Sequence, residues 1–282
     1  MPELPELEVM CETLERRVLG RPIVSVRAYD PGILKTVDPP IDALIGRPFV
    51  GVARRGKHLV LSCGDELHVV LHLMLAGRLV RSRSSAKVTK ATGFVLGFED
   101  GEDLRVIENG TKRRVRLHVV RDPSNVDAIA SLGVEPLSGV FTIEFLTKIF
   151  AGLRRQLKKV LTDQHSIAGI GTAYADEILY AAKLSPIRYV STLKAEEIER
   201  LHRETRAVLT YAIEEIRVRA GENLIAGHVR DFLRVVRQTG QPCPECGTPI
   251  AEIRYAQTKT YYCPTCQSSG KTIADRRSWL TR

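Results

Sequence analysis

Behind a short leading helix, the hydrophobic pattern holds a period of two over a long stretch and then turns helical, and that change restricts the fold more than composition does. From about residue 23 to 121, apolar residues recur mostly at every second position. They form the runs PIVSVRAYD, FVGVARR, HLVLSC, ELHVVLHLMLAGRLV, GFVLGFED, DLRVIE and RVRLHVV. A period of two places alternate side chains on one face of a strand, so this succession predicts an antiparallel sheet assembly of about seven or eight strands. Gly64-Asp65 and Asp100-Gly101 lie between apolar runs and have the chemistry of hairpin turns. Ahead of the strands, Leu7, Met10 or Cys11, Leu14 and Val18 recur at three- and four-residue intervals, an amphipathic helix running toward Gly20. One helix followed by so many strands predicts a β-sandwich with the helix packed beside it.

Through DPSNVDAIASLGVEPLSG the pattern loses its period, and beyond it the spacing is helical. TIEFLTKIFAGLRRQLKKVLTDQ, TAYADEILYAAKL and TLKAEEIERLHRETRAVLTYAIEEIRVRA each carry an apolar face, with Ser185-Pro186 breaking the second and Gly221 ending the third. The expected fold is therefore multidomain α+β. Residues 1–125 form the β-sandwich domain with its leading helix, 126–139 a hinge, 140–236 an all-α domain, and 237–282 a small C-terminal lobe with its tail. Between the first two helical runs, HSIAGIGTAYADE places Gly169 and Gly171 around one residue. Such a backbone turns tightly, approaches a ligand closely, and offers amides for a phosphate at a helix start. A plain interhelical turn explains the same two glycines, and spacing alone leaves both readings open.

The C-terminal lobe has the strongest local motif. Cys243, Cys246, Cys263 and Cys266 form two CxxC pairs sixteen residues apart. Four thiolates so spaced suit one structural Zn2+ in tetrahedral coordination, with redox pairs or a disulfide framework as the alternatives. IAEIRYA and TKTYYC between the pairs read as the two strands of a β-ribbon finger. A lobe this small cannot bury a sufficient core without metal, so binding and folding are coupled there. Cys11 and Cys63 read as free thiols of a reducing compartment.

Lys and Arg total 42 against 33 acids, a formal charge of +9, which favours a polyanionic partner, nucleic acid first. Arg254, Lys259, Thr260, Lys271, Arg276 and Arg277 bring donors for phosphate oxygens to the ribbon, near in kind to the basic KRRVR run. No apolar run is long enough to span a membrane, and the acidic start is unlike a signal peptide. The expected protein is soluble, cytoplasmic and without a membrane partner.

The start, MPELPELEV, concentrates unusual chemistry. Removal of Met1 before the small Pro2 exposes a secondary amine, and α-amino groups titrate at roughly 7.7 to 8.0, so a fraction is neutral and nucleophilic at physiological pH. Such an amine attacks an electrophilic carbon and forms a Schiff base. Glu3 and Glu6 then share one helix face. They supply acid and base chemistry, or else merely favour the positive end of the helix dipole.

Taken together, PELPE, RRGKHL with Lys57, LHLMLAGRL, LTDQHSIAGIGTAYADEIL with LSP, and the paired CxxC ribbon resemble, in order and over the whole length, the formamidopyrimidine-DNA glycosylase and endonuclease VIII family. The resemblance implies a helix-two-turn-helix domain, a zinc finger, and a monomeric base-excision repair enzyme acting on damaged DNA. It makes Pro2 the nucleophile on C1′, Glu3 the acid and base, Glu6 a positioning group, and Lys57 a contact to the target phosphate or an aid to β-elimination. A wedge at Leu75, or the adjacent Met74, would fill the gap left by a flipped nucleotide, with His72 of the same run, Arg113, Arg114, Gly169, Gly171, Thr172 and Lys259 also on DNA. The sequence departs from the family in three places. Thr172 stands for an Asn, Thr258 for an Arg of the ribbon, and ENGTKRRVRL lacks the family's Arg and Phe pattern, although Arg113 or Arg114 reaches the same space. GENLIAGHVRDFLRVV is not the long damage-reading loop. These departures imply a bifunctional glycosylase and abasic-site lyase of shifted lesion preference, or alternatively a weak or inactive damage-binding protein of the same fold. A ribosomal zinc-ribbon factor does not fit the N-terminus.

Overall fold

The computed structural model describes residues 1–64, 66–110, 112–225, 228–255 and 258–273. Helix α1 (Leu4–Val18) begins with Pro5 in its first turn, where the missing amide hydrogen costs nothing. It is followed by β1 (Ile23–Ala28), β2 (Phe49–Arg55), β3 (His58–Cys63), β4 (Leu67–His72), β5 (Gly77–Arg83), β6 (Thr92–Phe98), β7 (Glu102–Glu108) and β8 (Arg116–Val120). The eight strands make two four-stranded sheets, β1-β6-β7-β5 and β2-β3-β4-β8, and every pairing is antiparallel. Leu7, Met10, Leu14 and Val18 of α1 bury against Phe49, Leu61 and Val69 of one sheet and Phe94 and Leu104 of the other. The face read from three- and four-residue spacing is the buried face.

One run of period two does not remain a single strand. ELHVVLHLMLAGRLV divides into β4 and β5, and Leu73 to Ala76 form a turn in which Met74 takes a left-handed φ of 53°. The Gly77 amide closes the turn on the Leu73 carbonyl at 2.9 Å. A Cβ at position 77 would lie 2.3 Å from that oxygen, so only glycine allows the approach. The Asp100-Gly101 turn forms as expected, with Gly101 at φ 76°, and Gly64 is left-handed too, while Asp65 lies outside the described residues.

The helical region contains α2 (Asp127–Ala130), α3 (Ile143–Phe150), α4 (Leu157–Leu161), α5 (Thr172–Ala181) and α6 (Ala195–Ala220). Here the first expected helix is two. Gly152 turns left-handed at φ 70°, and the Leu157 amide donates to the Arg188 carbonyl at 2.7 Å, so α4 restarts against a distant segment. β9 (Ala251–Tyr255) and β10 (Thr258–Tyr262) pair as the expected ribbon, followed by α7 (Pro264–Ser268). The chain divides into two compact units, residues 1–131 with 213–229, and residues 132–212 with 230–282. Among the described residues, no helix is long and apolar enough to cross a membrane.

Candidate functional site

In the first unit, Glu3 is the N-cap of α1 and forms a reciprocal capping box with Glu6. The Glu3 amide donates to Glu6 Oε2 at 3.0 Å, and the two side chains are 3% and 0% exposed. Glu6 thus caps the start of the helix and fixes the backbone that carries Glu3 and the buried Pro2. The Met1 amine donates to His228 Nε2 at 3.2 Å. One turn into the helix, Glu8 pairs with Arg54 at 2.7 Å, and Arg54 also donates to the Gly56 carbonyl at 3.1 Å. This link ties α1 to the β2–β3 turn that carries Lys57. Lys57 is 7% exposed, far from an ordinary surface lysine.

Beside Lys57 lie the rings of His58 and His72, edge to face with centroids 4.5 Å apart. Burial, then the positive surroundings of His58, Lys57 and Arg116, push the His72 imidazole down to about 3. Burial likewise pushes His58 down to about 4. His72 is thus a neutral acceptor, and its Nδ1 receives the Met74 amide at 3.1 Å. A left-handed Met costs on the order of 1 kcal/mol, and the surrounding hydrogen bonds hold it there. Leu73 is buried, and Leu75 at the tip is 61% exposed. Met74 and Leu75 thus lie in the turn between β4 and β5, not within a strand.

Arg113 pairs with Asp30 at 3.1 Å and donates to the Lys90 carbonyl. The amides of Arg114 and Val115 donate to buried Glu108 at 2.8 and 3.0 Å, so that carboxylate sets the course of the segment. A cavity of about 340 Å³ lined by Thr13, Arg17, Arg21, Phe98 and Leu224 lies at the opposite end of α1 from Pro2.

In the second unit, Gly169 has φ 85° and Gly171 is the N-cap of α5, with Thr172 exposed on its first turn. Gln164 shapes this loop: its Oε1 accepts from the Gly169 amide at 2.9 Å and its Nε2 donates to the Ile170 carbonyl at 2.8 Å. An open cleft beside it is lined by Arg155, Lys159 and His165. Farther along α5, Asp176 and Glu177 turn inward. Asp176 pairs with Lys158 at 2.6 Å and accepts from the Tyr261 amide of β10 at 3.0 Å. Burial pushes its carboxyl up to about 7 against the pull of Lys158. Glu177 accepts from the amides of Arg234, Val235 and Val236 at 2.9 to 3.0 Å.

Three ribbon residues depart from expectation. Thr260 is buried and accepts from Lys158 Nζ at 2.8 Å, so it latches the ribbon and is not a surface donor. Lys259 and Arg254 both pair with Glu252, at 3.1 and 3.2 Å. Their charge is partly answered within the ribbon, and Thr258 beside them is exposed. Lys271 is exposed as well, while Arg276 and Arg277 lie outside the described residues. So do Ala226 and Gly227 of the segment GENLIAGHVRDFLRVV.

The four ribbon cysteines converge, with all four Sγ within 4.8 Å of one another, Cys243 to Cys266 at 3.9 Å and Cys246 to Cys263 at 3.4 Å. Sulfurs about 2.3 Å from a tetrahedral metal stand about 3.8 Å apart, so the donor set fits a zinc ion. The Tyr180 hydroxyl lies 3.3 Å from Cys243 Sγ, and the Cys266 amide donates to Cys263 Sγ at 3.4 Å. Burial pushes the Cys263 and Cys266 thiols up, which a bound cation would reverse.

Models of three families match in chain order: the formamidopyrimidine-DNA glycosylase N-terminal domain over residues 1–115, its H2TH domain over 132–220, and the zinc finger found in FPG and IleRS over 240–268. A formamidopyrimidine-DNA glycosylase of Desulforamulus reducens is 34% identical over 95% of this chain and 100% of its own length. The chain belongs to the formamidopyrimidine-DNA glycosylase family. A homologue from Moorella thermoacetica is 36% identical over 90% of this chain and 95% of its own length. Among solved structures, a complex of Lactococcus lactis Fpg with DNA containing an abasic site is 26% identical, with a TM-score of 0.85 over 94% of this chain and 99% of that one. A complex of the wild-type L. lactis protein with DNA containing an oxidised pyrimidine is 27% identical, with a TM-score of 0.86 over 95% and 100%.

For a member of this family, the residues that sequence reading missed are the supports: Arg54, Glu108, Gln164, Lys158, Asp176, Glu177 and Glu252. Only TAYADE gave a signal, since two adjacent acids on an otherwise apolar helix have to be exposed or answered by buried partners.

Proposed function

We propose that this protein is a DNA glycosylase with abasic-site lyase activity that repairs damaged bases by excision, working through a Schiff base on Pro2. Once Met1 is removed, the Pro2 nitrogen attacks C1′ of the damaged nucleotide. Glu3 donates a proton to the deoxyribose ring oxygen and the sugar opens; the base leaves with the electrons of the glycosidic bond and takes up the proton lost by the proline nitrogen, whose lone pair completes the iminium at C1′. Loss of a C2′ proton then expels the 3′ phosphate by β-elimination. The observation that carries this reading is a buried carboxyl at a helix N-cap directly beside a prolyl residue at position 2, in a chain matched over 95% of its length by a formamidopyrimidine-DNA glycosylase.

Lys57 neutralises the target phosphate, and Leu75 fills the gap left when the nucleotide leaves the stack. The amides at the start of α5, with Thr172, hold a backbone phosphate. Cys243, Cys246, Cys263 and Cys266 hold one structural zinc ion, which keeps the ribbon folded. With Thr258 lacking a guanidinium, and Lys259 and Arg254 answered by Glu252, the 3′ product is gripped weakly, and the reaction stops largely after β-elimination. A panel of lesion-bearing duplexes tests the assignment. At least one oxidised base should be released, and Glu3→Gln should slow release by about a hundredfold or more, the scale of general acid catalysis. Undiminished release by Glu3→Gln would overturn the role given to Glu3, and binding without release from any lesion would favour the damage-binding alternative.

A further inference from the structure

The segment His72 to Gly77 is built as a device, and each of its parts has a separate cause. Leu73 is 2% exposed and fixes the root in the sandwich core. The Gly77 amide closes on the Leu73 carbonyl at 2.9 Å, which leaves Met74 left-handed and puts Leu75 outward. Within this closed turn, the Met74 amide points back at the ring of His72, 3.1 Å from Nδ1. His72 itself is the last residue of β4, paired with Arg116 of β8 and packed edge to face on His58 of β3. The imidazole is thus braced by the His58 ring of β3, while the backbone that carries it is held by pairing with β8.

We propose that His72 is a positioning residue for Leu75: by accepting the Met74 amide at Nδ1, its neutral ring sets the turn that presents the leucine to DNA. The assignment rests on the reading of Leu75 as the residue that enters the helix stack. It differs from a simple phosphate contact in the atom it requires. A histidine that accepts at Nδ1 carries its proton on Nε2, so the same hydrogen bond that shapes the turn also fixes the tautomer and leaves an N–H donor on the far side of the ring. Imidazolium could not do this, because protonated Nδ1 would face the amide hydrogen. Burial, His58, Lys57 and Arg116 keep the ring neutral far below physiological pH.

Two substitutions separate the two ring nitrogens. The Asn amide places an oxygen near the position of Nδ1, and the longer Gln amide places its terminal group near Nε2. His72→Asn should therefore keep the turn, while His72→Gln and His72→Ala should lose it. Hydrogen exchange of the Met74 amide gives a readout without DNA. It should be slow in the wild type and His72→Asn, and faster by about tenfold, the equilibrium weight of one hydrogen bond, in the other two, with the Val70 amide of β4 as an internal check of folding. In parallel, 2-aminopurine placed opposite a tetrahydrofuran abasic analogue should brighten on binding of the wild type and of His72→Asn, and much less with His72→Gln, His72→Ala or Leu75→Ala. Equal Met74 exchange in His72→Asn and His72→Gln would overturn the assignment, as would a 2-aminopurine response that survives in His72→Gln but not in His72→Asn. The expected exchange pattern with no brightening by the wild type would instead overturn the role of Leu75.

Discussion

The start of α1 together with the 72–77 turn, and the zinc ribbon together with α5, are stabilised in opposite ways. In the first, beside the longer Glu8–Arg54 link, the caps and turns are closed by hydrogen bonds over very short stretches of chain: Glu3 to Glu6, Met74 to His72, Gly77 to Leu73. In the second, they join residues far apart: Asp176 to Tyr261, Glu177 to Val235, Lys158 to Thr260, and the two CxxC pairs. Local caps form whenever their own helix or hairpin forms. Long-range latches hold only while metal, buried ion pair and backbone are all in place. The covalent chemistry should therefore be robust, and the grip on DNA fragile.

Removing the metal is the most forceful way to break this contrast. With the proposed structural ion, Cys243→Ser should lose zinc and most of the affinity for a duplex, since metal binding and folding are coupled in so small a lobe. The Met74 amide should stay protected in the same variant. Loss of protection there would mean that the two regions are not independent.

The buried ion pair comes next. Asp176→Asn leaves Lys158 without its charge partner under β10, and removing one member of such a pair costs about 3 to 5 kcal/mol. Urea unfolding followed at the ribbon should show the loss. Glu3→Gln, which touches only the local cap, should unfold at nearly the wild-type midpoint. Similar losses in both would erase the distinction.

A smaller effect is expected from pH in the first unit. His58 and His72 titrate at about 4 and about 3 in the folded protein against 6.5 when unperturbed. Below 6.5 the unfolded chain therefore binds protons that the folded chain does not, and stability is lost as pH falls from about 6.5 toward about 3. Melting of the sandwich should take up protons at pH 5 and few at pH 8. Proton release at pH 5 would contradict the burial of these rings.

The finest adjustment concerns the ribbon's charges. Glu252→Gln should release Lys259 and Arg254 for phosphate and make the log-log salt slope more negative by roughly 0.9 for each further phosphate neutralised. Thr258→Arg should raise the fraction of 3′-phosphate ends produced by δ-elimination. If the unmodified protein already yields mostly 3′-phosphate, the weak grip assigned to the ribbon is wrong.

The same contrast explains what the sequence made legible. Spacing revealed α1 and its buried face, the ribbon and its four cysteines, because each is specified within a few residues or by one repeated motif. It hid the break at Met74, since LHLMLAGRL keeps its alternating pattern while Gly77 and His72 fold it into a turn. It also hid the restart of α4 against Arg188, and the partners of Asp176 and Glu177, because these contacts join residues dozens of positions apart and leave no periodic trace. Thr260 looked like a surface donor for the same reason. Its partner Lys158 lies on another element, 102 residues away.

The covalent chemistry proposed for the first unit depends on the Pro2 nitrogen being the nucleophile. Borohydride reduction of the wild-type protein mixed with a duplex containing an abasic site, followed by peptide mapping of the covalent product, examines that nitrogen without intermediaries. The expected product is an adduct on an N-terminal peptide beginning at Pro2, nearly absent in Pro2→Gly. An adduct on Lys57, or no adduct from a protein that still cleaves the abasic site, would contradict it.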